Sequence, residues 1–244
     1  MIEVAPGLHR LGTRFVNWYA LVDGGRVTLL DAGLPGYWKS LDAALESIGR
    51  SRSDVEAVVL THAHSDHTGF AERLREAVGA RVLIHESDAE LARSGRPTRP
   101  EASPLPYLRH GTALRFAAHA VSNGFARPIK IRDLTTFRQG DTLDVPGSPR
   151  VVHAPGHTPG MCVLQLEGAG ALVVGDELCN GNPFTGRPGV QLMPRCANVS
   201  TDQALESLAR IEELQASTLL FGHGDPWQGS PAEAVALARE AGPS

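Results

Sequence analysis

The stretch VEAVVLTHAHSDHTGF, residues 55–70, ends a run of apolar β-formers in three histidines and an aspartate within six positions: His62, His64, Asp66 and His67. Residues i and i+2 of an extended chain project to one side, so His62 and His64 can converge just past a strand. Asp66 and His67 fall where the next helix begins and can aim at a neighbouring point. Imidazole and carboxylate are good ligands for a borderline divalent cation such as zinc. Imidazoles packed this closely raise one another's cost of protonation, which suits a site better than a core.

One such cluster cannot close two metal sites, so other segments must contribute. His157 in VVHAPGHTPG, Asp176 in ALVVGDEL and His223 in TLLFGHGDP each follow a short apolar run and have glycine close by. Glycine there lets backbone and ion approach closely. Asp31, in VTLLDAGLPG, ends a strand in the same manner. His9, His85, His110 and His119 have no partner at metal spacing and read as core or surface residues. His153 reads as a strand residue beside the site.

The remaining pattern is α and β in layers. FVNWYALV-DGG-RVTLLDAG predicts a hairpin around an Asp-Gly-Gly turn. YWKSLDAALESIGR, FAERLREAVG, TDQALESLARIEELQ and PAEAVALARE predict helices, the third capped by Ser200 or Thr201. VEAVVL, RVLIH, IKIR, TLDV, RVVHA, MCVLQLEGAGALVVGDE and STLLFGHG supply strand candidates. Strands and helices, then strands and helices again, suit two sheets packed face to face with helices outside. The 244 residues, 42% apolar and 20% charged, are enough for one large domain. Between about 94 and 128 the composition shifts to proline, arginine and glycine, as in an insertion that could act as a lid, with a short helix near TALRFAAHA.

LLDAG, THAHSDHTG, PGHTPG, VGDE and FGHG, in that order, resemble the five motifs of the metallo-β-lactamase-fold hydrolase superfamily. The resemblance spans residues 31–223 and implies an αββα sandwich forming a single domain over 1–244. It further implies a dinuclear centre of two Zn(2+) ions, with Fe or Mn as alternatives. By analogy His62, His64 and His157 hold one ion, and Asp66, His67 and His223 the other. Asp176 bridges them, and Asp31 orients ligands through hydrogen bonds. A bridging hydroxide is the implied nucleophile, with Asp66 as the catalytic residue that orients it or shuttles a proton. No Gly-x-Ser-x-Gly elbow competes with this reading.

Departures from the pattern narrow the branch. Asp176 stands where the best-known zinc β-lactamases have cysteine or no bridging ligand, and Cys179 is a poor substitute. His64 stands where the diiron flavoproteins of this fold carry glutamate. Only 21 residues follow His223, fewer than the helical part with which glyoxalase II proteins grip glutathione. The expectation is therefore a glyoxalase II-like or lactonase-like hydrolase of a small ester, lactone or thioester. The alternatives are a phosphodiesterase or nuclease of the same fold, or a mononuclear-iron enzyme of the persulfide dioxygenase kind. Tyr107, Asn180, Phe184 and Arg195 are candidate substrate contacts, Tyr107 from the lid and Arg195 as a carboxylate fork.

A small molecule is the expected partner. The net charge of −4, without a long basic run, argues against nucleic acid. No stretch approaches the roughly 20 apolar residues of a membrane helix. Three cysteines at no metal-like spacing and an N-terminus without a signal pattern place the chain in the cytoplasm. A homo-oligomer is compatible with the sequence.

Overall fold

The structure is a computed structural model and describes residues 2–244. Its first sheet runs β1 (Ile2–Ala5), β2 (Leu8–Gly12), β3 (Asn17–Asp23), β4 (Arg26–Leu30), β5 (Val55–Val59), β6 (Arg81–His85) and β7 (Thr135–Phe137) in sequence order. β1 to β4 pair antiparallel and β4 to β7 parallel. The predicted hairpin is β3–β4, closed by Gly24 and Gly25, both at positive φ. Such φ values are what a two-residue turn between right-twisted strands requires.

The second sheet is built from β8 (Arg150–His153), β9 (Cys162–Leu166), β10 (Ala171–Gly175), β13 (Thr218–Phe221) and β14 (Trp227–Gln228), in the order β14-β13-β10-β9-β8. A small antiparallel pair, β11 (Leu178–Asn180) and β12 (Val190–Leu192), lies between β10 and β13 in the chain. The helices are α1 (Leu41–Glu46), α2 (Ser65–Thr68), α3 (Ala71–Val78), α4 (Ala89–Ser94), α5 (Gly111–Ser122), α6 (Thr201–Glu212) and α7 (Pro231–Ala241).

Alternation along the strands divides the buried residues into three apolar layers. Val27 and Leu29 of β4 pack with Leu41, Leu45, Phe70 and Leu74 on the helical side. Leu30 joins Val59, Leu164 and Val173 between the sheets. Leu172 and Val174 of β10 meet Leu208 and Ile211 of α6 and Val235 of α7. Three cores separate four layers, so the architecture is the αββα sandwich of the metallo-β-lactamase fold.

Strand direction decides where the site lies. β4 and β5 are parallel, so Asp31 and His62 emerge beyond the same edge. β10 and β13 are parallel too, and β8, antiparallel to β9 as β9 is to β10, runs their way. His157, Asp176 and His223 thus leave their strands toward one edge. The sheets are tied together there. Asn17 Nδ2 and the Tyr19 hydroxyl both donate to the Phe221 carbonyl, at 2.9 and 2.7 Å, and the Cys162 amide donates to the Thr61 carbonyl at 3.0 Å.

Some local expectations fail. IKIR forms no strand: the Ile131 amide donates to the Ala92 carbonyl at the end of α4, and the edge strand is β7 instead. TLDV contributes only an isolated bridge from Thr142 to Arg150. The helix expected over residues 37–50 is split into a 3-10 stretch, Pro35–Ser40, and α1, and Gly49 at φ 68° follows it. Among the described residues no helix is long and apolar enough to cross a membrane.

The His85 ring, at the end of β6, stacks on His153 at 4.0 Å and 9°. Burial, then the neighbouring imidazole, pushes its pKa down from 6.5 to about 4. The unfolded chain therefore binds the extra proton first. His85 contributes its full share of stability above pH 6.5 and loses it as the pH falls toward 4. Urea unfolding of the wild type and His85→Gln at pH 7 and pH 5 should show a smaller acid loss in the variant. Equal losses would dismiss this stack as an acid-sensitive element.

Candidate metal centre

The HAHSDH segment leaves β5 extended and enters α2 with His64 as the residue before its first turn. His62 and His67 are fully buried, and Asp66 nearly so. Three groups of ligand atoms form, each with its atoms within 4.8 Å of one another: His62, His64 and His157; His62, His67 and Asp176; Asp66, His67 and His223. Asp176 lies among them, with Oδ1 3.4 Å from His67 Nε2, and Oδ2 3.4 Å from His157 Nε2 and 3.1 Å from His223 Nε2. Asp66 Oδ2 is 3.6 Å from His223 Nε2 and 4.0 Å from His67 Nε2.

Each imidazole is held by its other nitrogen. His67 Nδ1 donates to Asp31 Oδ2 at 2.7 Å. Asp31 Oδ1 accepts the Thr61 amide at 2.8 Å, and His62 Nδ1 meets the Thr61 hydroxyl at 3.0 Å. His157 Nδ1 donates to the Asn198 amide oxygen at 3.0 Å, and His223 Nδ1 donates to the Phe15 carbonyl. His64 differs, since its Nε2 pairs with the Thr98 hydroxyl at 2.7 Å and Nδ1 is left for the cluster. These contacts fix ring orientation and tautomer. Asp31 does so from a left-handed backbone, φ 64°, unusual for a non-glycine residue.

His62 Nε2, His67 Nε2, His157 Nε2 and Asp176 Oδ1 are buried without a hydrogen-bond partner. Buried polar atoms are nearly always satisfied, so four orphans facing one another fit a cation. The electrostatics agree. Burial and the surrounding imidazoles hold His62 well below its usual pKa, and His157 falls to about 3, so both imidazoles are neutral, the form that can bind a cation. Burial also lowers His67 and His223, but Asp176, joined by Asp31 at His67 and by Asp66 at His223, outweighs it and raises both. Desolvation opposes ionisation of Asp176, yet His223 and His67 keep its carboxyl well below the usual range. The cluster thus balances its charges as imidazolium–carboxylate contacts that a cation can replace.

Several contributors carried no sequence signal. Asp88 accepts from the Ala63 amide, the Thr158 hydroxyl and the Gly160 amide at 2.7–2.9 Å, tying the HAHSDH loop to the PGHTPG loop. Thr98 and Asn198 belong to the same class, polar residues without a motif of their own.

A cavity of about 640 Å³ opens over the cluster, with His64, Asp66, His157, Asp176 and His223 in its floor. Segment 95–129 forms much of its wall. That segment is anchored by the Tyr37 hydroxyl to His119 Nε2, 2.7 Å, and by Glu101, which accepts the Thr201 amide at 2.7 Å. Of the four substrate candidates, only Phe184 lines the cavity. Tyr107 lies outside it, its ring edge-on to Phe184 at 5.9 Å. Asn180 is spent on the Asp225 carbonyl, 2.9 Å, and Arg195 on Glu101, 2.7 Å. None of these three is placed to touch a molecule in the cavity.

A four-layer sandwich with a His/Asp cluster at one sheet edge defines a class of metal-binding proteins. The family model described as the metallo-beta-lactamase superfamily matches residues 11–223, and the chain belongs to that superfamily. It is 28% identical over 227 residues to YobT of Bacillus subtilis (strain 168), covering 91% of this chain and 88% of that protein. It is 25% identical over 248 residues to the probable metallo-hydrolase YflN of the same organism, covering 93% and 87%. The crystal structure of a metallo-beta-lactamase family protein from Thermus thermophilus is similar with a TM-score of 0.69 at 29% identity, over 98% of this chain and 80% of that one.

Proposed function

We propose that this protein is a zinc-dependent hydrolase of a small ester, lactone or thioester, with a dinuclear centre, from the glyoxalase II/lactonase-like branch. The observation that carries the reading is the set of three overlapping ligand groups, in which His62 Nε2, His67 Nε2, His157 Nε2 and Asp176 Oδ1 are buried without a hydrogen-bond partner. His62, His64 and His157 would hold one ion, and Asp66, His67 and His223 the second, with Asp176 between them. Bound there, two divalent ions supply Lewis acidity, which lowers the pKa of a water and polarises an acyl oxygen.

The chain's own groups do the rest. Asp66 lines the cavity and directs Oδ2 toward His67 and His223. Its other oxygen, Oδ1, can orient the attacking water, accept its proton and return it to the leaving group. Asp31, Thr61, Asn198 and the Phe15 carbonyl keep the imidazoles from turning as charge develops. Segment 95–129 acts as a lid that limits the access of bulk water. The bridging position supports this branch, because Cys179 directs its Sγ to the Leu192 carbonyl, 3.8 Å, and joins none of the ligand groups. The free thiols of Cys162, Cys179 and Cys196 fit a cytoplasmic site of action.

Protein purified without added metal should contain about two ions per chain, mainly zinc, and should lose activity to a chelator and regain it with zinc. A panel of lactones, thioesters, p-nitrophenyl esters, nitrocefin and bis-p-nitrophenyl phosphate then tests the substrate class. A single iron per chain, or turnover of the phosphodiester alone, would overturn the proposal.

A further inference from the structure

The floor of the cavity is polar, but its wall is not. Along α5, Ala113, Ala117 and Ala120 line it at helical spacing, forming a shallow trough flanked by Phe116 and Val121. Phe116 packs edge-on against His223 at 5.4 Å and tilted against Phe184 at 5.6 Å, so the carbon surface begins at the cluster itself. Leu108, Phe125, Ile129 and Met193 continue it.

Polar groups that could meet a bound molecule along this wall are few. The Thr98 hydroxyl is engaged with His64 Nε2, and Thr68 donates to the His64 carbonyl at 3.1 Å. Arg96 and Arg127 also line the cavity, but like Leu108, Val121 and Phe125 they are exposed, and their charged heads can turn to solvent. A peptide-like substrate would leave its amides unpaired along α5, and stranding buried polar groups is costly. An aliphatic chain loses nothing there and leaves water.

We propose that this cavity holds the aliphatic chain of a medium-chain acyl substrate, with the acyl carbon at Asp66 and Asp176 and the chain lying along the alanine face of α5. The cavity lies within the size range of sites for drug-sized ligands. The assignment of the acyl carbon rests on the hydrolase reading, whereas that of the chain rests on the wall alone.

The two parts separate experimentally. Calorimetric binding of butanoate, hexanoate and octanoate to the purified protein reads the wall without turnover. Each added methylene should tighten binding by about fourfold, the conversion of about 0.8 kcal/mol per buried CH₂, so octanoate, with four more methylenes, should bind about 250-fold tighter than butanoate. Ala117→Trp fills the trough from an exposed helix position, which spares the core, and should cut the octanoate-to-butanoate ratio by at least about tenfold. A flat series overturns the proposal. An unchanged slope in Ala117→Trp overturns the placement along α5. The p-nitrophenyl esters of the same acids complete the test. No turnover with a steep binding series removes the hydrolase reading and leaves the chain site standing. Turnover with flat binding does the reverse.

Discussion

Asp66→Asn is expected to lower kcat/KM by well over about 10²-fold, the range in which a positioned proton-transfer group acts. The substitution preserves shape and removes charge. Asp66 is buried in the floor of the cavity, and its closest charged contacts are His223 and His67 on one oxygen. An amide can neither take a proton from an attacking water nor bind a cation as a carboxylate does. His157→Ala should cause a loss of the same order by another route, because a neutral imidazole aligned by Asn198 disappears. Measuring metal content with kcat/KM separates the two. Zinc should fall further in His157→Ala, while Asp66→Asn should lose turnover beyond its loss of metal. Full turnover with full metal content in Asp66→Asn would remove Asp66 from the chemistry.

What could be read in the sequence was whatever is fixed by near neighbours. His62, His64, Asp66 and His67 share one strand end and one helix start, so their spacing already encodes their convergence. His157, Asp176 and His223 were recognisable by setting, since a strand followed by a turn with glycine leads toward a sheet edge. Asp31 was recognisable in the same way, and it bonds the ring of His67. The unread part is held by long-range partners. Thr98 lies 34 residues from His64, and Asn198 lies 41 from His157. A single threonine or asparagine in a loop has no pattern to mark it. Edge strands such as β1 and β11 are short, and pairing with a neighbour rather than their own periodicity defines them. IKIR shows the converse, a β-like composition whose backbone is claimed by the end of α4. Arg195 and Asn180 do not line the cavity, because Arg195 pairs with Glu101 and Asn180 with the Asp225 carbonyl.

Gly222→Ala should be nearly as damaging as loss of a ligand, although no chemical group is removed. Gly222 connects β13 to His223. Its amide donates to the Gly175 carbonyl at 2.9 Å, and its carbonyl accepts from the Asn17 amide at 2.8 Å, so its backbone is pinned to the strand before Asp176 and to the opposite sheet. A methyl there would collide with Asp176 Oδ1 and the Cε1 edge of His67. Neither can retreat without giving up its contacts, since His67 is bonded to Asp31 behind it and Asp176 is enclosed by His67, His157 and His223. Overpacking of this kind costs about 1–3 kcal/mol, which the fold can survive. The cluster cannot, because the carboxylate that joins the ligand groups must rotate away. The expected result is a folded protein with less bound metal and turnover reduced by about 10²-fold, the scale of a misplaced reacting group. Gly168→Ala, where a methyl meets nothing within 4 Å, is the matched control and should change neither quantity. If Gly222→Ala kept wild-type metal content and turnover, Asp176 and His67 would be free to part, and the tight joining of the ligand groups at Asp176 would not be what the site depends on.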